Sequence, residues 1–146
     1  MAEAIMRRLI EEANLSAQIN VDSAGTGAWH VGEPPHDGTL AILRRHHITT
    51  RHMARVVTQS DFTRFDYLIA MDRANLRDLR RMGAGISANV ALLLDYAPNT
   101  GTTDVPDPYY DGRFAEVYEL IEAGCRGLLQ HLIAKHQLCP SIEQRT

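Results

Sequence analysis

The sequence contains few of the residues that mark secreted, membrane-spanning or disulfide-rich proteins. Its 146 residues include only two cysteines, Cys125 and Cys139, which are too few for a disulfide framework and match no zinc spacing. No apolar run is long enough to cross a membrane, and the first residues lack the apolar stretch of a signal peptide. We therefore expect a cytoplasmic protein that does not associate with membranes.

Lysine is almost absent, because Lys135 is the only one and the other cationic side chains are arginines. The formal net charge of -3 and the pI near 6.1 indicate no surface for a polyanion, so no nucleic-acid partner is expected. With 45% hydrophobic and 23% charged residues, the composition is that of a folded domain.

Cofactor and metal motifs are also missing from the sequence. Gly25 and Gly27 form a Gly-x-Gly, but the third glycine of a nucleotide-binding loop does not follow. The seven histidines include no pair at metal-ligand spacing on one helix face. The sequence therefore predicts neither a cofactor nor a metal ion.

Apolar periodicity predicts helices and strands that alternate along the chain. Asp72 is a suitable N-cap for one of these helices. The predicted helices cover residues 1–14, 38–46, 72–82 and 114–133, and the predicted strands cover residues 18–21, 65–71 and 90–94. This order favours an α/β fold, in which helices cover both faces of a parallel sheet.

The start of the pattern is unusual for such a fold. The first predicted helix begins at residue 1 with no capping residue before it, and only three strands are available. An α/β chain usually opens with a strand. We therefore expect that one strand of the sheet is missing from these 146 residues.

Several short motifs together resemble the low-molecular-weight protein tyrosine phosphatases. The likeness extends from Met1 to about Lys135, and the order and spacing of the motifs make it specific although each alone is weak. The motifs are Met1-Ala2-Glu3-Ala4, Val21-Asp22-Ser23-Ala24-Gly25, Trp29, His52-Met53-Ala54-Arg55, residues 65–72 with Asn75-Leu76-Arg77-Asp78-Leu79, and Asp107-Pro108-Tyr109-Tyr110.

The resemblance implies a phosphotyrosine phosphatase domain over residues 1–138, with a C-terminal tail over 139–146. Its fold would be a three-layer sandwich with a flavodoxin-like parallel sheet. In that family a first strand leads into a Cys-x5-Arg-Ser-Pro loop, and Met1 matches the residue just after its proline. The strand, the nucleophilic cysteine and the arginine would then precede Met1. The 146-residue chain is therefore expected to be inactive by itself.

The resemblance also assigns roles to residues that are present. Asp107 corresponds to the general acid and base of a reaction that passes through a phosphocysteine. Tyr109 and Tyr110 would wall the substrate pocket, with Trp29 on the opposite rim. The expected substrate is a phosphotyrosine-containing protein or another aryl phosphate.

Three further residues correspond to supports of the phosphate-binding loop. Ser23 and His52 would form hydrogen bonds with that loop, and Asp72 would orient His52. No metal or cofactor is implied by the resemblance.

Three accounts explain a missing strand and loop. The coding start could lie upstream of Met1, so that the complete protein is an active phosphatase. The chain could instead be a non-catalytic remnant that binds a partner, or another polypeptide could supply the missing part. A related enzyme class, the thioredoxin-coupled arsenate reductases, needs two further cysteines after the third strand, and residues 71–100 contain none.

A second Cys-x5-Arg sequence begins at Cys139 and ends at Arg145. No strand is predicted before it and no helix after it, and Glu143 would place a negative charge where a phosphate should bind. We interpret this match as a coincidence, and Cys125 as a small residue buried in the last helix.

Overall fold

A computed structural model of the chain describes residues 1–141. Within this range the elements are, in chain order, α1 (Ala2–Glu12), α2 (Asp37–Arg45), α3 (Asp61–Arg64), β1 (Tyr67–Ala70), α4 (Arg73–Met82), β2 (Asn89–Leu92), two 3-10 helices (Leu93–Tyr96 and Pro98–Thr100) and α5 (Phe114–His136). The four helices predicted from periodicity are confirmed within a few residues, and the short α3 was not predicted. The Cys139 to Arg145 motif extends beyond the described residues.

The two strands form a parallel pair in which Leu68 lies opposite Val90 and Ala70 opposite Leu92. The prediction of a third strand at residues 18–21 is wrong. In that region the described chain forms only one isolated parallel bridge, between Gly25 and Val56. A short segment in which polar and apolar residues alternate forms a strand only when an adjacent strand pairs with its backbone N–H and C=O groups.

The two faces of β1 contact two different hydrophobic clusters. Leu68 and Ala70 are buried on the side of α3 and α4, whereas Tyr67 and Ile69 lie against the larger cluster formed by α1, α2 and α5. Successive side chains of a strand point to opposite faces, so this division shows that helices cover the sheet on both sides. The predicted layered α/β arrangement is confirmed.

The larger cluster positions the first turn of α1. Ile5 and Leu9 are buried on α1, and Tyr118 and Cys125 are buried on α5. The 3-10 helix that follows β2 approaches α5 closely at Gly127, which has no side chain. A Cβ atom there would lie 1.9 Å from the Tyr96 carbonyl oxygen. Residues at the start of α1 are therefore fixed relative to the sheet by packing.

One buried carboxylate connects α3 to the chain before it. Asp61 is buried and accepts two hydrogen bonds from the Arg55 guanidinium, at 2.9 and 3.1 Å, and a third from the Thr58 N–H at 2.8 Å. These bonds satisfy a charge that would otherwise be costly to bury. They also hold Arg55 in place for its contact with Asp22.

None of the helices formed by residues 1–141 combines the length and the apolar character needed to cross a bilayer.

Replacing Asp61 with Asn should lower the free energy of unfolding by about 3 kcal/mol at pH 7, which is the lower end of the range for breaking a buried ion pair. The lower end applies because Arg55 is about one third exposed. Urea unfolding measures the change. The matched control is Asp111→Asn, which removes a carboxylate from an exposed pair with Arg113 and should change stability little.

The difference in the free energy of unfolding between the parent and Asp61→Asn should disappear in acid. The hydrogen bonds from Arg55 hold the pKa of Asp61 below its usual value. The contribution of Asp61 is therefore complete above its unfolded-state pKa of about 3.9 and is lost as the pH falls through the lower folded-state pKa. An Asp61→Asn chain as stable as the parent at pH 7 would contradict this account.

Candidate active site

The first turn of α1 lies against a histidine from a distant loop. His52 Nδ1 is 2.9 Å from Glu3 Oε2, and His52 Nε2 is 3.3 Å from Ser23 Oγ. Ser23 Oγ also donates a hydrogen bond of 2.6 Å to Glu3 Oε2. The structure thus brings the two expected loop supports, Ser23 and His52, together at the N-terminal end of α1.

A second carboxylate faces the same histidine nitrogen. Asp22 Oδ1 lies 3.8 Å from His52 Nδ1, and Asp22 Oδ2 accepts a hydrogen bond of 3.0 Å from the Arg55 guanidinium. The Arg55 guanidinium also donates hydrogen bonds to the buried Asp61. The polar residues at the start of α1 are therefore linked to the smaller hydrophobic cluster through one arginine.

We expected Asp72 to orient His52, but its side chain has a different partner. Its Oδ1 accepts a hydrogen bond of 2.8 Å from the Asn75 N–H, so the side chain caps the N-terminus of α4 as predicted. Glu3 and Asp22 are the carboxylates next to His52. The role of Glu3 was missed because residues 3 and 52 are close only after the chain folds.

Asp107 lies on an exposed turn that follows the second 3-10 helix. Its Oδ1 accepts a hydrogen bond of 3.0 Å from the Tyr109 N–H, and the Gly112 N–H donates to the Pro108 carbonyl at 2.8 Å. Upstream, the Val105 N–H donates to the Met71 carbonyl at 2.9 Å, where β1 ends. The carboxylate is thereby held at the carboxyl end of a parallel strand, where α/β proteins usually bind ligands.

His36, which the sequence analysis did not identify, supports this turn. Its ring stacks on Phe114 with centroids 5.2 Å apart, and Tyr109 meets the ring edge-on at 5.5 Å. His36 Nδ1 also accepts a hydrogen bond of 3.0 Å from the Gly38 N–H and so caps α2. Phe114 reaches this position because Gly38 has no side chain, since a Cβ atom there would lie 2.4 Å from its ring.

The three expected pocket aromatics are largely exposed. Trp29 and Tyr110 are each 85% exposed and Tyr109 is 61% exposed. Tyr109 and Tyr110 contact each other edge-on, at 5.3 Å between centroids, whereas the Trp29 ring lies over Gly27 of its own loop. The structure brings the two tyrosines together on the turn of Asp107 and leaves Trp29 on a separate loop.

A shallow groove runs beside Asp107 along the start of α4. Asp104 accepts hydrogen bonds from the backbone and the guanidinium of Arg73, at 3.1 and 3.2 Å. The groove thus places Asp72 and Asp107 on one surface. Its lining residues are Asp72, Arg73, Ala74, Arg77, Asp104, Val105, Pro106 and Asp107.

The two cysteines lie in different surroundings. Cys125 is buried within α5, where burial raises the pKa of its thiol to about 12. Cys139 is exposed, and its carbonyl accepts a hydrogen bond of 2.6 Å from Gln18, just beyond the C-terminal end of α1. Ser23 and His52 lie at the opposite, N-terminal end of α1. The two ends of this 11-residue helix are about 16 Å apart.

These groups supply two chemical capabilities. The first N–H groups of α1 carry the partial positive charge of a helix N-terminus, which favours an anion such as phosphate. The turn of Asp107 carries an exposed carboxyl group and two exposed aromatic rings, which suits proton exchange with an aryl-oxygen leaving group.

Comparison with known proteins gives relatives with a consistent description. Residues 1–138 match the family model for low molecular weight phosphotyrosine protein phosphatase. The low molecular weight protein-tyrosine-phosphatase YfkJ of Bacillus subtilis is 48% identical over 140 residues, covering 94% of this chain and 90% of the relative. The protein-tyrosine-phosphatase PtpA of Staphylococcus haemolyticus is 41% identical, covering 91% of this chain and 84% of the relative.

Solved structures give the same result for the fold. The crystal structure of YfkJ from Bacillus subtilis superposes with a TM-score of 0.88 at 47% identity, over 94% of this chain and 87% of that one. The crystal structure of an arginine phosphatase from Drosophila superposes with a TM-score of 0.84 at 34% identity, over 89% and 87% of the two chains. With its flavodoxin-like α/β fold, the chain belongs to the low-molecular-weight phosphotyrosine protein phosphatase family.

Proposed function

We propose that the protein containing these 146 residues hydrolyses phosphotyrosine in the cytoplasm, with Asp107 as general acid and then general base. The observation that carries this proposal is the turn of residues 107–112, which presents the exposed carboxylate of Asp107 and the exposed rings of Tyr109 and Tyr110 on one short segment. Asp107 would give its proton to the tyrosyl oxygen as the phosphorus–oxygen bond breaks. It would then take a proton from the water that hydrolyses the phosphocysteine.

The thiolate nucleophile is not one of the two cysteines in these residues. A buried thiol with a pKa near 12 carries almost no thiolate at neutral pH, which argues against Cys125. Cys139 lies beyond the opposite end of α1 from Ser23 and His52. We propose that a Cys-x5-Arg loop ahead of Met1 supplies the nucleophile and the arginine, so that residues 1–146 are inactive by themselves.

The surroundings of the first turn of α1 support this position for the loop. Ser23 and His52 lie there as hydrogen-bonding groups that are half-buried rather than fully exposed. A phosphate held at this end of α1 would gain from the helix N-terminus and from inward-pointing backbone N–H groups of the loop. The loop arginine would bind two of the phosphate oxygens.

The aromatic pair on the turn favours an aryl phosphate as substrate. Tyr109 and Tyr110 offer flat apolar surface on which the ring of phosphotyrosine could stack, and Trp29 would bound the pocket on its other rim. A relative from Drosophila is described as an arginine phosphatase, so a phosphoarginine peptide is the informative competitor. We expect the phosphotyrosine peptide to be hydrolysed with the higher kcat/KM.

The first prediction concerns Asp107 in a chain extended upstream by a strand and a Cys-x5-Arg-Ser-Pro loop. Asp107→Asn should lower kcat for a phosphotyrosine peptide about 10²- to 10⁴-fold, because a positioned acid contributes that much. Para-nitrophenyl phosphate should be affected less, since its leaving group needs little protonation. Steady-state kinetics on both substrates measure the effect.

Asp111→Asn is the matched control, because Asp111 is an exposed carboxylate on the same turn that pairs with Arg113. Its kinetics should equal those of the parent. Turnover by residues 1–146 alone would contradict the proposed source of the nucleophile. An inactive extended chain that still bound a partner protein would favour a non-catalytic binding role.

A second prediction concerns His36. Replacing it with Ala removes the cap of α2 and the ring that Tyr109 and Phe114 contact, so stability should fall by about 1 kcal/mol. Hydrogen exchange at residues 107–112 should become faster. His30→Ala, which changes an exposed histidine, is the control and should leave that exchange unchanged. Unchanged exchange in His36→Ala would show that the turn is held by other contacts.

A third prediction concerns thiol reactivity. In the native chain at pH 8, iodoacetamide should modify Cys139 rapidly and leave Cys125 unmodified, because burial keeps the Cys125 thiol protonated. Peptide mass mapping identifies the modified residue, and denatured chain, in which both thiols react, is the control. Rapid native modification of Cys125 would mean that α5 packs differently from the structure described above.

A further inference from the structure

We propose that the exposed face of α4 binds an acidic segment of the phosphoprotein substrate, close to the phosphotyrosine that enters the site. Four of the ten residues of α4 are arginines, at positions 73, 77, 80 and 81, whereas the whole chain has a formal net charge of -3. All four are exposed. The inference rests on the proposed function, because it describes which substrates the same site would select.

Helical spacing puts these arginines on one side of α4. Residues four and seven positions apart lie on the same face, as Arg73, Arg77 and Arg80 do, and Arg81 borders that face. The other side of the helix packs on the sheet through Leu79, which is buried in the smaller hydrophobic cluster. The four arginines therefore form a stripe that faces away from the core, the α4 arginine stripe.

Three members of the stripe are available to a ligand. Arg73 pairs with Asp104 at 3.2 Å. The ion pairs formed within residues 1–141 include none to Arg77, Arg80 or Arg81. A guanidinium is always charged in proteins and can bind a carboxylate through two N–H groups at once. The stripe thus offers three cations that the described chain does not neutralise.

The stripe begins in the groove beside the proposed general acid. Arg73 and Arg77 line that groove together with the carboxylates of Asp72, Asp104 and Asp107. The last turn of α4, which lies beyond the groove, carries two arginines and no carboxylate. An acidic residue directly beside the phosphotyrosine would therefore meet aspartates, whereas one a few positions away would meet arginines.

The length of the stripe indicates how far the acidic segment extends. Arg80 lies seven residues after Arg73, which corresponds to a rise of about 10 Å along the helix. An extended peptide advances about 3.3 Å per residue, so about three of its residues span the stripe. The preferred substrate therefore carries acidic residues within about five positions of the phosphotyrosine but not directly beside it.

Steady-state kinetics of the chain extended upstream by a strand and a Cys-x5-Arg-Ser-Pro loop test the stripe. Phosphotyrosine peptides carry glutamates or glutamines at matched positions, either before or after the phosphotyrosine. In one of these two arrangements, the glutamate peptide should have the higher kcat/KM. Arg80→Gln and Arg81→Gln together should lower that kcat/KM about 2- to 25-fold, since each exposed ion pair contributes about 1.5- to 5-fold.

Arg44→Gln with Arg45→Gln is the matched control. These two arginines are also exposed and also lie in the last turn of a helix, α2, so the control removes the same charge. Its preference for the glutamate peptide should equal that of the parent. Raising the NaCl concentration from about 0.05 to 0.5 M should reduce the preference, because salt screens exposed charges. Equal effects of the two double variants, or no preference in the parent, would overturn the proposal.

A binding measurement separates this proposal from the proposed function. If the extended chain hydrolysed no phosphotyrosine peptide, the proposed function would fail. Fluorescence anisotropy of the labelled glutamate peptide should still show weaker binding to the Arg80 and Arg81 double variant than to the control. Equal binding to both would refute the stripe. A single-stranded oligonucleotide whose binding depended on Arg80 and Arg81 to the same extent would also overturn the assignment to an acidic peptide.

Discussion

The contact between Glu3 and His52 determines how the rest of the candidate site is arranged. It fixes the first turn of α1 against the loop that carries Ser23 and the loop that carries His52. Asp22 extends the contact to Arg55, and Arg55 extends it to the buried Asp61. If the first turn of α1 moved, its N–H groups would no longer point to the place where we propose that phosphate binds.

Hydrophobic packing positions α1, whereas a backbone hydrogen bond positions the loop that leads to Asp107. The larger hydrophobic cluster holds the body of α1 against α5, and the end of β1 holds the loop that leads to Asp107 through a single backbone hydrogen bond. The turn that carries Asp107 is exposed, and the ring of its Tyr109 packs against His36, which stacks on Phe114. Under the proposed function, the packed start of α1 would hold the anion, and the exposed turn of Asp107 would let the substrate ring enter and leave.

The sequence predicted the helices because their apolar faces repeat locally. It predicted the cap at Asp72 because an aspartate just before a helix can accept a hydrogen bond from the first N–H groups. It did not predict the contact of Glu3 with His52 or the packing of His36 on Tyr109 and Phe114, because these partners lie tens of residues away along the chain. The prediction of a strand at residues 18–21 was wrong, because a segment forms a strand only when an adjacent strand pairs with its backbone. The roles of Asp107, Tyr109, Tyr110 and Trp29 rest on resemblance and stay predictions, although the structure puts the first three on one turn.

The most direct measurement identifies which cysteine carries phosphate during turnover. The protein isolated from its native source would be quenched in acid while it hydrolyses an aryl phosphate, and the phosphorylated peptide would be mapped by mass spectrometry. The account predicts phosphocysteine on a peptide that precedes Met1 and is followed by arginine six residues later. Phosphate on Cys125 or Cys139 would contradict it.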